Sequence, residues 1–227
     1  MDNIADRFKI LDSLRDSKLQ RARFCSSLTV PSILPPANWT EQDQLPQPYS
    51  SVSARGVTAM ASRMLSALLP LNDMPFFKFD LSSGVNPDPE INDYLENLSF
   101  QVYNKLAGNN IRESIYQALQ HLIVVGDVMM IMGDDMSFRL IRLDRFVCRR
   151  DVYGNLEEVI YIEYETLPEV ITENMTLQTG QSIGEHDRRG YRAIYTAAYR
   201  EGDVWKVIKC DGDNNTSVSW EWETPWL

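Results

Sequence analysis

Apolar residues recur at helical spacing from the first turn of the chain. Ile4, Phe8, Leu11, Leu14 and Ala22 approximate one face over residues 2 to 28, with Lys18 on the flank and charges of both signs elsewhere, which predicts one amphipathic helix. Residues 29 to 50 lose the period and hold Pro31, Pro35, Pro36, Pro46 and Pro48, so they read as an extended arm with Trp39 as its anchor. Ser50 and Ser51 can cap a second helix, over residues 51 to 69, whose stripe is Val57, Met60, Ala61, Met64, Leu65 and Leu68. That stripe predicts a core element with Met64 and Leu65 buried, and Pro70 stops it. Pro75 to Leu81 suits a strand or extended packing piece. Residues 89 to 107 predict a helix with a buried stripe of Ile91, Tyr94, Leu95, Leu98, Val102 and Leu106. A further helix follows from Ile111 to Val125, with Ile111, Ile115, Leu119, Leu122 and Ile123 inward.

At Gly126 the period changes from helical to alternating. Asp127 to Met132 and Ser137 to Leu143 pair across Gly133-Asp134-Asp135, and Phe146 to Arg150 and Leu156 to Glu165 pair across Tyr153-Gly154-Asn155. Thr166 to Gly190 is polar, with a short helix expected near Pro168 to Glu173. Arg192 to Arg200, Val204 to Cys210 and Val218 to Glu223 complete three antiparallel strands. The fold class is therefore α+β, helices first and antiparallel sheet after. The division expected is residues 1–50 as N-terminal helix and arm, and 51–227 as one α+β domain.

Composition narrows the function. A hydrophobic share of 44% and a charged share of 24% are those of an ordinary globular chain. The apolar run Leu122 to Val125 is too short to cross a bilayer, so no membrane partner is expected. Cys25, Cys148 and Cys210 lack CxxC spacing and read as free thiols. A net charge of −10 disfavours a nucleic-acid coat, which needs clustered cations.

Candidate chemistry is sparse. Asp211-Gly212-Asp213-Asn214-Asn215 starts like a calcium loop, but its sixth and twelfth positions are Thr216 and Trp222, so a hairpin turn is the better reading. Gly133-Asp134-Asp135 is also a turn sequence. His121 and His186 have no metal ligands at suitable spacing, and no phosphate loop or nucleophile elbow occurs. No catalytic residue, metal or cofactor is expected. Arg139, Arg142, Arg145, Arg149 and Arg150 form the concentrated basic stretch. They read as surface ion pairs or, more sharply, as a contact to an acidic neighbouring subunit, with phosphate contact third. Alternation puts Arg139 and Arg142 on opposite faces. The end of the chain alternates Trp220, Trp222 and Trp226 with acidic residues and reads as a strand with one apolar face.

Four blocks, in order, carry a family resemblance. They are Val30 to Pro35 (VPSILP), the helix text Ala54-Arg55-Gly56 with Ala61 to Leu65 and Ala67 to Pro70, Gln117 to Asp127 (QALQHLIVVGD), and Arg142 to Asn155 (RLDRFVCRRDVYGN). Together they resemble the portal proteins, or head-to-tail connectors, of short-tailed podovirus-type phages. Gln117 and Asp127 depart from the Glu and Asn of that pattern, conservatively in size. The resemblance implies a structural subunit of the virion, assembled in the host cytoplasm and placed at one capsid vertex. The full-length protein would form a homo-oligomeric, dodecameric ring whose partners are capsid protein, terminase and tail adaptor proteins. Double-stranded DNA would pass through its channel in packaging and ejection. It further implies that this chain corresponds to the N-terminal half, the wing-like region, with stem, clip and crown outside it. Two rivals stay open: a capsid or tail adaptor sharing the domain, and a metal-dependent nuclease built on Asp134, Asp135, Asp211 and Asp213.

Overall fold

A computed structural model of the chain describes residues 3–37, 39, 43–70, 75–81, 89–166, 191–202, 204–211 and 216–222. Among the described residues five helices, α1 (Ile4–Leu14), α2 (Asp16–Leu28), α3 (Val52–Leu68), α4 (Pro89–Gly108) and α5 (Ile111–Val125), precede seven strands. The strands are β1 (Met129–Met132), β2 (Phe138–Ile141), β3 (Phe146–Arg150), β4 (Leu156–Thr166), β5 (Tyr191–Glu201), β6 (Val204–Asp211) and β7 (Thr216–Trp222). The α+β class holds. The polar segment after Thr166, with its expected short helix, lies outside the described residues, as do Asp213 and Trp226. Backbone contacts divide the chain into two compact units, residues 1–19 with 143–227, and residues 20–142.

The first unit is an antiparallel meander, β3-β4-β5-β6-β7, with α1 laid on one face. Register explains its core. Val147, Ile160, Ala197 and Ile208 are consecutive cross-strand partners, so alternation brings all four to the same face. Ile4 and Phe8 of α1 pack on that row together with Ile162 and Cys210. Phe8 meets Tyr195 edge-on, with ring centroids 6.0 Å apart. The next row, Cys148, Val159, Ala198 and Val207, faces the other way, where Ala198 and Val207 cluster with Trp205.

The single helix expected over residues 2 to 28 is two helices. Arg15 leaves the helical path at φ −107 and ψ 7, while its Nε donates to Asp12 Oδ1 at 3.0 Å and its guanidinium lies over Phe146 at 5.8 Å. Leu14, expected inward, is exposed because the break turns it away, and the buried face is Ile4, Ala5 and Phe8.

In the second unit α3 packs on α5, and α5 on α4 and β2; β1 and β2 form a separate two-stranded sheet. Ser51 is the N-cap of α3 but makes no side-chain cap bond; Ser50 Oγ instead accepts from Val52 N–H at 3.3 Å. Arg112 of α5 donates to the Leu69 carbonyl at 2.6 Å, satisfying an orphan acceptor at the end of α3. Gly126 caps α5 at φ +82, a conformation that favours glycine.

Three burial expectations are corrected here. On α3 only Val57 and Ala61 are buried; Met64 and Leu65 are half-buried, and Met60 and Leu68 stand exposed. On α4, Ser99 and Leu106 are buried, whereas Ile91 and Tyr94 are exposed. The helix packs through its second half: Ser99 Oγ accepts from Phe79 N–H at 3.2 Å and Tyr103 meets Phe76. On α5 the inward face is rotated toward Ala118 and Val124, leaving Leu122 exposed. Residues 75 to 81 are the extended packing piece, not a strand, with Phe76, Phe77 and Phe79 in successive edge contacts.

The start of the arm is ordered by one buried hydroxyl. Ser26 Oγ donates to the Val30 carbonyl and accepts from Leu34 N–H, both at 3.0 Å, folding Ile33 and Leu34 inward. Trp39 is half-buried and donates to the Asp43 carbonyl at 3.1 Å.

Candidate subunit-interface site

The five arginines are divided between the two structural units. Arg139 and Arg142 belong to the unit of residues 20–142, and Arg145, Arg149 and Arg150 to the sheet unit. Arg139 lies exposed on β2, and Arg142 follows the strand half-buried. Arg145 ends the single-turn helix Leu143–Arg145 and stacks its guanidinium 5.2 Å over the Tyr164 ring. Arg149 is engaged within the chain, its Nε 3.5 Å from Glu157 Oε2 and 3.4 Å from Glu158 Oε2. Arg150 is exposed, with Nη1 donating to the Gly154 carbonyl at 3.0 Å.

A feature that the sequence reading missed lies beside them. Glu158, only 2% exposed, sits on the helix-covered face of β4, in phase with Ile160 and Ile162. Arg7 of α1 brings Nη2 to 2.6 Å from Glu158 Oε1, without the angles of a good hydrogen bond, and lies 5.8 Å over Tyr199. Arg149, Glu158 and Tyr199 are cross-strand neighbours, so one polar row borders the apolar row and Arg7 bridges it from the helix. The available signal was an acidic residue at an inward position of an alternating strand.

The β3–β4 connection is tightly bonded. Asp151 Oδ1 accepts from Tyr153 N–H and Asn155 N–H at 2.9 and 2.8 Å, and Oδ2 accepts from Asn155 Nδ2 at 2.9 Å. Those donors, the Asn155 side chain first, hold the Asp151 carboxyl below its ordinary range. Gly154 closes the turn at φ +87. Beside the turn is an open cavity of about 290 Å³ lined by Arg149 and Arg200 together with Asp151 and Glu157.

Two carboxylates of the nuclease rival, Asp135 and Asp211, have other partners. Asp135 Oδ1 accepts from the backbone and hydroxyl of Ser137 at 3.0 and 2.6 Å, and buried Asp211 is ion-paired to Arg192. Among the described residues no three His, Cys, Asp or Glu side chains gather where they could hold a metal ion. Nor is any helix among them long and apolar enough to cross a membrane.

Comparison with known proteins gives the family. The family model for "Bacteriophage head to tail connecting protein" matches residues 1–218. The portal protein of Enterobacteria phage T3 is 26% identical over 217 residues, covering 86% of this chain and 40% of that protein. The portal protein of Escherichia phage T7 is 25% identical over 190 residues, covering 77% of this chain and 35% of that protein. The chain thus spans well under half the length of these relatives. With its match running through both structural units, it belongs to the family of bacteriophage head to tail connecting proteins.

Proposed function

We propose that this protein is a portal subunit, a structural component of a phage virion that joins head to tail. The observation that carries the reading is the family match over residues 1–218. In this role the chain supplies a wing-like region from residues 51–227, with residues 1–50 as an N-terminal helix and arm. Copies close into a ring at one capsid vertex, assembled in the host cytoplasm. Double-stranded DNA enters through the ring in packaging, is retained, and leaves through it at ejection. Capsid protein, terminase and tail adaptors are the partners, and the chain performs no catalysis of its own.

A net charge of −10 supports a passage role, because a channel that paired strongly with phosphates would stall its cargo. Arg139, Arg142, Arg145, Arg149 and Arg150 are proposed to contribute to subunit contacts on an otherwise acidic molecule, where a planar guanidinium suits a neighbour's carboxylate. Gold-labelled antibody against residues 1–227, applied to phage particles opened at the tail, tests the reading by electron microscopy. Label confined to the tail vertex is the expected result. Label over the whole shell, or none on the particle, would overturn it.

A further inference from the structure

Among the described residues apolar side chains stand in solvent at several places, and two of these carry charges of opposite sign nearby. The first is the β3–β4 turn, where Val152 and Tyr153 are 96% and 88% exposed. Turns favour Gly, Asn, Asp and Ser, which serve the backbone; a fully exposed Val-Tyr pair contributes nothing to folding there. The Asp151 carboxylate and Asn155 hold this turn in one geometry, so the two side chains are presented at little ordering cost.

The second surface is the first half of α4. Ile91 and Tyr94 are 44% and 67% exposed on one helical face, continuing the line of Leu95 and Leu98. Glu90 lies one turn before Tyr94 on the same side, and Asp93 and Glu96 are exposed beside it. An apolar strip with an acidic rim results.

Charge makes the two surfaces complementary. The chain is acidic overall, yet exposed Arg150 stands at the base of the turn, beside a cavity that Arg149 and Arg200 line together with Asp151 and Glu157. An aromatic knob with Arg150 at its base and an apolar strip rimmed by Glu90, Asp93 and Glu96 suit each other between copies.

We propose that Val152 and Tyr153 of one copy dock on the Ile91 and Tyr94 face of α4 in a neighbouring copy, with Arg150 against Glu90. This rests on the portal reading and names one contact of its ring. The two patches differ, so the contact is heterologous, the kind that propagates around a closed ring instead of ending at a dimer. A knob of this size buries less than a stable interface needs, which makes each contact weak alone and strong only when repeated around the ring.

The test uses the 227-residue chain at millimolar concentration with a photo-crosslinking phenylalanine analogue at position 153. Inter-chain products on residues 89–98 are expected. Sedimentation equilibrium should show Tyr153→Ala weakening self-association about tenfold or more, as loss of an aromatic anchor does. Arg150→Glu and Glu90→Arg should each weaken it, and both changes in one chain should restore it, because every contact then meets a reversed partner. Products elsewhere on another copy, products only within one chain, no products at all, or reversals that fail to restore association would each overturn the contact. Vertex labelling judges the portal reading separately, so a failure here leaves that reading standing.

Discussion

Removing Arg7 probes how α1 is held on the sheet. Glu158 has a side chain 3% exposed, and Arg7 Nη2 sits 2.6 Å from its Oε1. Stripping one partner from a fully enclosed ion pair costs about 3–5 kcal/mol, because a charge is left buried without compensation. Two features reduce that here. The Arg7 side chain is 32% exposed, and Arg149 still lies 3.4 Å from the other carboxylate oxygen. Against this, the guanidinium also leaves the Tyr199 ring, a contact of about 0.5–1 kcal/mol. We expect Arg7→Met to destabilise the sheet unit by about 2–3 kcal/mol, with the methionine stem preserving most of the packing. Glu158→Leu should cost only about 1 kcal/mol, since Arg7 can turn to water. The double variant should return to within about 1 kcal/mol of the parent, because a buried pair replaced by apolar groups loses little. Urea unfolding followed by Trp205 fluorescence measures all three, as that indole is 5% exposed in the sheet unit. An Arg7→Met loss below about 0.5 kcal/mol, or strict additivity in the double variant, would refute the reasoning.

Three further outcomes are expected. Ser26→Ala should cost about 1–3 kcal/mol by orphaning the Leu34 N–H and the Val30 carbonyl, and should abolish slow hydrogen exchange at the Leu34 amide; unchanged protection there would rule out the hydroxyl as the anchor. Leu65→Ala should cost about 1–2 kcal/mol, less than the roughly 2–5 kcal/mol of a fully enclosed leucine, because the side chain is half-buried; a thermal or urea measurement near the upper figure would show a partner covering it. Asp151 is held below its ordinary range, so its contribution is complete above the unfolded value of about 3.9 and is lost only as pH falls through the lower folded value. Tyr153 and Asn155 amide shifts should therefore be flat from neutral pH down to about 5 and move only in stronger acid; a midpoint near 6 would assign the turn's stability to another group.

Periodicity alone determined the kind and order of the elements. The helical spacing of Ile111 to Val125 and the alternation through β3 to β6 needed no tertiary information, because 3.6-residue and two-residue repeats are local consequences of backbone geometry. The four blocks between Val30 and Asn155 likewise make the family legible in the sequence itself. Which apolar faces are covered was decided only by packing. Leu14 and Tyr94 lie on stripes as regular as that of Phe8, yet only Phe8 meets the sheet, because burial depends on what stands opposite and not on the helix itself. At the break, Arg15 meets Asp12 and the ring of Phe146, the second a partner that only the fold supplies. Glu158 and Arg7 are far apart in sequence, and only strand register and the seating of α1 bring them together. The same holds for the basic stretch: five arginines close in sequence fall into two structural units, divided between Arg142 and Leu143.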